Sequence, residues 1–242
     1  MLNGKKLALP EKGRLSGRLF FTSDLHLFHS NILKHCPERG AAFSAVEDMN
    51  RTLVAAWNST VGEPDTVIVA GDYIWKGRGG NPRFSGSEED VSGRFRDMCR
   101  ITRSLNGTKY LVKGNHEKFS EGEYLEAGSA GYGNYGEFES GDGPVLIVHS
   151  PKEVIREWYA GQGVPGYFDD MPLGYSMCFD DILRIPGRYI CGHVHQLWRR
   201  LGPFVNIGVD VWDMRPVHIE RILDVFREEK SALLAGGGGN GN

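Results

Sequence analysis

The chain is short of several things, and each shortage narrows what it can be. No segment approaches the ~20 consecutive apolar residues that cross a bilayer. The N-terminus, with Lys5, Lys6, Glu11 and Lys12, has no apolar stretch of signal-peptide length. No membrane partner is expected, and a cytoplasmic location is. Cysteine is scarce: Cys36, Cys99, Cys178 and Cys191 are the only four in 242 residues, and none are spaced as Cys-x-x-Cys. A disulfide framework of this length would hold more, so reduced thiols are expected. Charge of one sign is also missing, since 28 Lys and Arg face 31 Asp and Glu for a net charge of −3. A bulk binder of nucleic acid or membrane surface would carry a positive excess, although a local basic patch is compatible with this balance. The sequence carries no sign of oligomeric state.

What is present is a chain with 40% apolar residues, enough for a packed core. Five short apolar runs each stop at residues able to bind metal. Leu19-Phe20-Phe21-Thr22-Ser23 precedes Asp24-Leu25-His26, and Val67-Ile68-Val69-Ala70 precedes Gly71-Asp72. Tyr110-Leu111-Val112-Lys113 precedes Gly114-Asn115-His116, Val145-Leu146-Ile147-Val148 precedes His149, and Tyr189-Ile190-Cys191 precedes Gly192-His193-Val194-His195. Apolar runs rich in β-branched and aromatic residues read as buried strands, and open α/β sheets present ligands at the carboxyl ends of their strands. Two Asp, one Asn and five His at such ends point to one polar site on an apolar frame. Oxygen and imidazole donors without thiolate suit Mn, Fe, Zn or Mg.

Asp24-x-His26 and His193-x-His195 are expected to project both side chains to one side of an extended backbone, because strands alternate with period two. Gly71, Gly114 and Gly192 stand directly before candidate ligands, where free backbone angles and close approach both help.

Strands alternating with helical patterns predict α/β layers. The box Ser44-x-x-Glu47 predicts a helix from about Ala45 to Ser59, with Val46, Met49, Leu53 and Trp57 inward. Further helices are expected after Ser87 (Val91, Phe95, Met98, Thr102 and Leu105 inward), after Pro151 (Val154, Ile155 and Trp158) and after Pro216 (Ile219, Ile222, Leu223 and Phe226). Residues 76–90, 118–143 and 159–181 read as irregular loops, either shaping a cleft or serving as connectors. Residues 1–15 are expected to form a flexible leader and the Gly-rich residues 236–242 a disordered tail, leaving 16–235 as the domain.

Arg39, Lys76, Arg78 and Arg83 are candidate contacts to phosphate or a nucleic-acid backbone, or else solvated basic residues. Tyr132, Tyr135, Tyr159 and Tyr167 could stack on a base or pack within loops. Trp57 and Trp158 fit a core, Trp212 a place behind the site, and His35 and His218 structural or exposed positions.

Taken together, Asp24-x-His26, Gly71-Asp72, Gly114-Asn115-His116-Glu117, His149 and Gly192-His193-x-His195 resemble the calcineurin-like metallophosphoesterases, in that family's order and over roughly residues 18–210. More narrowly, the run from Ser23 to Ile32, Glu47-Asp48-Met49-Asn50, Trp57-Asn58 and the run from Asn206 to Trp212 are similar to a small bacterial and phage branch of predicted phosphoesterases. The resemblance implies a layered α/β fold: a β-sandwich flanked by helices in four layers, with a dinuclear metal site at its strand ends. It implies one ion held by Asp24, His26, Asp72 and His195, and a second by Asp72, Asn115, His149 and His193, with Asp72 bridging. Two divalent ions are expected, Mn first, with Fe, Zn, Ni or Mg as alternatives.

The expected reaction is hydrolysis of a phosphodiester or phosphomonoester by a hydroxide activated between two metals. His116, as imidazolium, would act as general acid, and Glu117 would orient it or raise its pKa. Many relatives have Asp where this chain has Glu117. Asn115, His29 and Asn31 are candidate substrate contacts; Asn31 reads equally well as a helix cap. The alternatives are a Mn-dependent nuclease on single-stranded DNA or RNA, a hydrolase of another bond such as an amide, and a catalytically silent metal-binding scaffold.

Overall fold

The structure, a computed structural model, describes residues 2–10, 17–77, 88–162 and 182–236. The apolar runs fold as strands. β1 (Leu19–Thr22), β2 (Thr66–Ala70), β3 (Thr108–Val112) and β4 (Gly131–Gly133) lie parallel in one sheet. β10 (Val217–His218) joins the free edge of β1 antiparallel, giving the order β10-β1-β2-β3-β4. The second sheet has the order β5-β6-β7-β9-β8 and comprises β5 (Gly136–Ser140), β6 (Gly143–Ile147), β7 (Tyr189–Cys191), β8 (Arg200–Leu201) and β9 (Phe204–Asn206). Its central strands β6, β7 and β9 are parallel, with β5 and β8 antiparallel outside them.

Side-chain alternation assigns the layers. Phe20, Val67, Val69 and Leu111 bury one face of the first sheet against Met49, Leu53 and Trp57 of α3 (Val46–Thr60) and Met98 of α4 (Glu88–Ser104). Their neighbours Phe21, Ile68, Ala70 and Val112 face the opposite way, onto Val145, Ile147, Ile190 and Val205 of the second sheet. The far face of that sheet, with Cys191 and Phe204, packs on Val154 and Ile155 of α6 (Pro151–Gly161). The order is helices, sheet, sheet, helix, so the expected four-layer sandwich forms. Strands covered on both faces need continuous apolar runs, which is the pattern the sequence carries. α1 (Ile32–His35), α2 (Pro37–Ala42) and α5 (Glu121–Ala127) complete the first half, and α7 (Ile219–Gly236) places Ile222, Leu223 and Phe226 in the core between the sheets. No helix among the described residues is long and apolar enough to cross a membrane.

Several local expectations change. α3 begins at Val46 behind Ala45, and no side chain caps it, so the box at Ser44 does not form. The capping box that does form is at Ser120 and Glu123, at the head of α5. It lies inside the stretch 118–143 expected to be irregular, which also holds β4 and β5. Short polar-rich strands and one two-turn helix gave too little periodicity to detect. β10 was likewise hidden, being two residues ahead of a helix. Of the stretch 1–15 expected to be loose, residues 2–10 are described, and there Leu7 is 1% exposed and its N–H donates to the Tyr135 carbonyl at 2.7 Å. Residues 11–16, 78–87, 163–181 and 237–242 lie outside the described residues, and with them Arg78, Arg83, Tyr167, Cys178 and most of the expected tail.

Candidate metal centre

The loops after β1, β2, β3, β6 and β7 meet at one end of the sandwich. They are tied by backbone bonds: Asp24 N–H donates to the Gly71 carbonyl at 3.1 Å, His26 N–H to the Asp72 carbonyl at 2.9 Å, and Gly192 N–H to the His149 carbonyl at 2.9 Å. The candidate ligands are not delivered by extended strands. Asp24 (φ 56), His26 (φ 49), Asp72 (φ 51), His193 (φ 72) and His195 (φ 48) all adopt left-handed backbone. β1 ends at Thr22 and β7 at Cys191, so the period-two argument for the two x-spaced pairs fails. Each such non-glycine residue costs about 1–2 kcal/mol in backbone strain, which the interlocked loops hold in place. Of the three glycines, only Gly71 has positive φ (91). At Gly192 the requirement is space, because a Cβ there would overlap Ser23 Oγ and Asp24 Oδ2.

Asp72 is the hub. Its Oδ2 lies 3.4 Å from His26 Nε2, 3.4 Å from His149 Nε2 and 4.0 Å from His116 Nε2. Asp24 Oδ1 lies 4.0 Å from both His26 Nε2 and His195 Nε2. Asn115 Oδ1 lies 2.8 Å from His149 Nε2 and 3.0 Å from His193 Nδ1. Asp24, His26 and His195, and also Asp24, Asp72 and His149, offer ligand atoms all within 4.8 Å of one another. His26 Nε2 is buried and has no hydrogen-bond partner among the described residues. A buried nitrogen without a partner, facing two carboxylates, fits a cation as the missing partner. The donor set is hard or borderline throughout.

Electrostatics follow from burial and proximity. Burial opposes ionisation of Asp72, but His149 and His26 outweigh it and hold the carboxyl well below its ordinary range. Asp24, 0% exposed, is pushed up by burial. Burial disfavours charge on His149, yet Asp72 holds it up at about 9. His193 and His29 are each pushed down by burial to about 4. His116 is also lowered, by burial first and then by His149, against the pull of Asp72. The surroundings of His116 therefore disfavour the expected imidazolium.

The expected substrate contacts separate. His29 is buried beside the candidate ligands, its Nδ1 3.3 Å from His26 Nδ1 and its ring stacked on Trp75 at 4.1 Å. Asn31 only precedes α1, in helical backbone, and makes no side-chain cap bond. Glu117 is not turned to the His116 ring. Its buried carboxylate accepts the N–H groups of Asp72 (3.0 Å), Tyr73 (2.6 Å) and Gly114 (2.8 Å). Burial, then Asp72, pushes its pKa up to about 7.

Two of the basic candidates are used internally. Arg39 is 0% exposed and forks onto Asp210. Lys76 pairs with Glu123 at 3.0 Å and lies over the Phe119 ring. Tyr132 stacks on Tyr124, and Tyr135 and Tyr159 pack with Val154, Cys191 and Phe204 on the far face of the second sheet. Trp212 packs in the core, its indole N–H donating to the Asn206 carbonyl at 2.7 Å. Asp210 is the site residue that sequence reasoning missed. It follows β9, with Gly208 between, and so resembles the Gly71-Asp72 loop after β2, with Val209 inserted. Its Oδ2 accepts from His195 Nδ1 at 3.0 Å.

Comparison with known proteins places this geometry. The chain is 25% identical over 220 residues to an uncharacterised protein of Methanocaldococcus jannaschii, covering 88% of this chain and 93% of that one. It is 34% identical over 98 residues to the gene 66 protein of Mycobacterium phage L5, or 40% of this chain and 39% of that one. The crystal structure of a protein of unknown function from Aquifex aeolicus shares the fold, with a TM-score of 0.54 at 23% identity over 86% of this chain and 98% of that one. Residues 17–197, which hold Asp24 through His195, match the calcineurin-like phosphoesterases. The chain belongs to the calcineurin-like phosphoesterase family, whose members are hydrolases of phosphate esters that work with divalent metals.

Proposed function

We propose that this protein hydrolyses phosphodiester or phosphomonoester bonds with two divalent ions bound at the strand ends. The observation that carries the reading is the convergence of His26, His149 and His116 on the single oxygen Asp72 Oδ2, at 3.4, 3.4 and 4.0 Å. Asp24, His26, Asp72 and His195 would hold one ion, and Asp72, Asn115, His149 and His193 the other. Such ions, when bound, generate a nucleophile from water at neutral pH and offset charge on phosphoryl oxygens. Mn is the first candidate, with Fe, Zn, Ni or Mg also compatible with these donors.

The chain's own groups divide the remaining work. Asn115 contributes a neutral oxygen, which limits the negative charge facing an incoming phosphate. His116, half exposed at the mouth, is the group able to meet a substrate. The anionic phosphoryl group would raise its lowered pKa, so that it protonates the leaving oxygen. His29 stays neutral beside it and, with Trp75, forms an aromatic wall 5.4 Å from the His116 ring. Glu117 holds the β2 and β3 loops together, fixing Asp72 and Asn115 relative to each other.

Small esters are favoured over single-stranded nucleic acid, because Arg39 is buried on Asp210 and Lys76 is paired with Glu123. The free thiols of Cys36, Cys99 and Cys191 support a cytoplasmic setting. The test is a metal screen on metal-stripped protein with paired chromogenic mono- and diesters, then cyclic nucleotides and labelled oligonucleotides. Metal-dependent turnover of one ester class by ~100-fold over the other, about 2.7 kcal/mol in barrier, identifies the substrate class. A protein that binds the ions and hydrolyses none of these esters refutes the reading.

A further inference from the structure

We propose that Arg39 is a positioning residue for one half of the metal centre, seating Asp24 and His195 together while His149 keeps its own supports. This rests on the metal-centre reading above. Arg39 comes from α2, outside every ligand-bearing loop. Its Nε and Nη2 donate to Asp210 Oδ1 and Oδ2 at 2.6 and 2.7 Å. Nη2 also donates to the Asp24 carbonyl at 2.6 Å, and Nη1 to the Leu25 carbonyl at 3.3 Å. The fork thus grips the backbone on which left-handed Asp24 sits.

The second arm runs through Asp210. Its ionised carboxylate only accepts, so the proton on the facing nitrogen of His195 is Nδ1–H, at 3.0 Å. Nε2 is left to point at Asp24 Oδ1, 4.0 Å away. An exposed arginine would have fixed nothing, and a lysine has no fork to hold two carboxylate oxygens and two carbonyls at once. Burying this pair adds little stability over apolar packing of the same volume; what it adds is direction. The other half has separate supports: the Ala70 carbonyl 2.8 Å from His149 Nδ1, and Asn115 between His149 and His193. Arg39 makes no described contact with that half, which meets Asp24 through the His193 N–H, donated to the Asp24 carboxylate at 2.9 and 3.1 Å.

The asymmetry is testable by Mn²⁺ titration calorimetry and electron paramagnetic resonance on the full chain, comparing wild type, Arg39→Met, Asp210→Asn and His149→Ala. Wild type binds two ions with a spin-coupled signature. Arg39→Met and Asp210→Asn keep one tight ion, bind the other about 10–100-fold more weakly, and lose the coupled signature at limiting metal. Adding either substitution to His149→Ala leaves no tight position. Should Arg39→Met not fold by circular dichroism, Asp210→Asn carries the same comparison. Folded variants that bind both ions as wild type does, or that weaken both positions equally, overturn the proposal. Wild type that binds no ion pair overturns the metal-centre reading itself, a separable result.

Discussion

The Ala70 carbonyl oxygen sits 2.8 Å from His149 Nδ1. A carbonyl only accepts, so Nδ1 carries a proton, and Nε2 is the nitrogen turned to Asp72 and Asn115. Asp210 does the same for His195. Two candidate ligands thus have their ring orientation set by partners behind them, one from a strand end and one from the loop after β9.

Those partners also set a proton competition. Burial works against charge on both rings, but Asp72 holds His149 up at about 9 and Asp210 holds His195 up at about 10. Each ring must release a proton before Nε2 can bind a metal. Apparent affinity for a divalent cation should therefore rise with pH from about 6 to 8, on the order of tenfold per unit for each proton displaced. Calorimetry in buffers of differing ionisation enthalpy measures the released protons; a pH-independent affinity would contradict it.

His116→Ala should leave metal binding unchanged, because His116 lies beyond the two ligand clusters. It should lower turnover of esters with poor leaving groups by about 10²–10⁴-fold, and lower it far less for activated aryl esters. Asp72→Ala should lose both metal and turnover. Equal activity of His116→Ala and wild type on both kinds of ester would remove His116 from the acid role.

Glu117→Gln replaces an acceptor of three backbone N–H groups by an amide whose NH₂ faces donors. It should destabilise the fold by about 1–3 kcal/mol, measured by urea unfolding, and weaken metal binding through Asp72. A substitution that altered only the pH dependence of turnover would instead support an orienting role toward His116.

Arg18 and Asp65 tie the starts of β1 and β2. Burial pushes the Asp65 carboxyl up, but Arg18 and the amide of Gly62 outweigh it and hold the pKa below the ordinary value. A depressed folded pKa gives stability present above the unfolded value of about 3.8 and lost as pH falls through the folded value. Arg18 is 59% exposed at its side chain, so screening limits the ion-pair share to less than about 1 kcal/mol. Asp65→Asn should be less stable than wild type at neutral pH, and the gap should narrow in acid. A gap that widened in acid would rule out the pairing.

The central strands and the loops that bring the candidate ligands together were legible because both rest on local signals. A strand buried on both faces has to be apolar along its length, and a ligand has to be Asp, Asn or His at its end. Val67 to Asp72 displays both requirements within six residues. β4, β5 and β10 were not legible, since strands so short or polar gain their stability from pairing rather than from pattern. The Ser44 box matched the motif yet made no cap, because the chain entered α3 one residue later.

Sequence alone determined which side chains could bind metal and that five apolar runs would carry them. Tertiary structure decided how they are held. Left-handed backbone at five candidate ligands, rather than strand alternation, aims them. Glu117 and Arg39 turned out to serve backbone amides, carbonyls and a carboxylate instead of His116 and substrate. Arg39 and Asp210 stand 171 positions apart, and a hydrogen bond between them leaves no mark on the residues nearby. Propensity and periodicity act over a few residues, whereas burial, tautomer and ion pairing are fixed only when distant segments close around the same space.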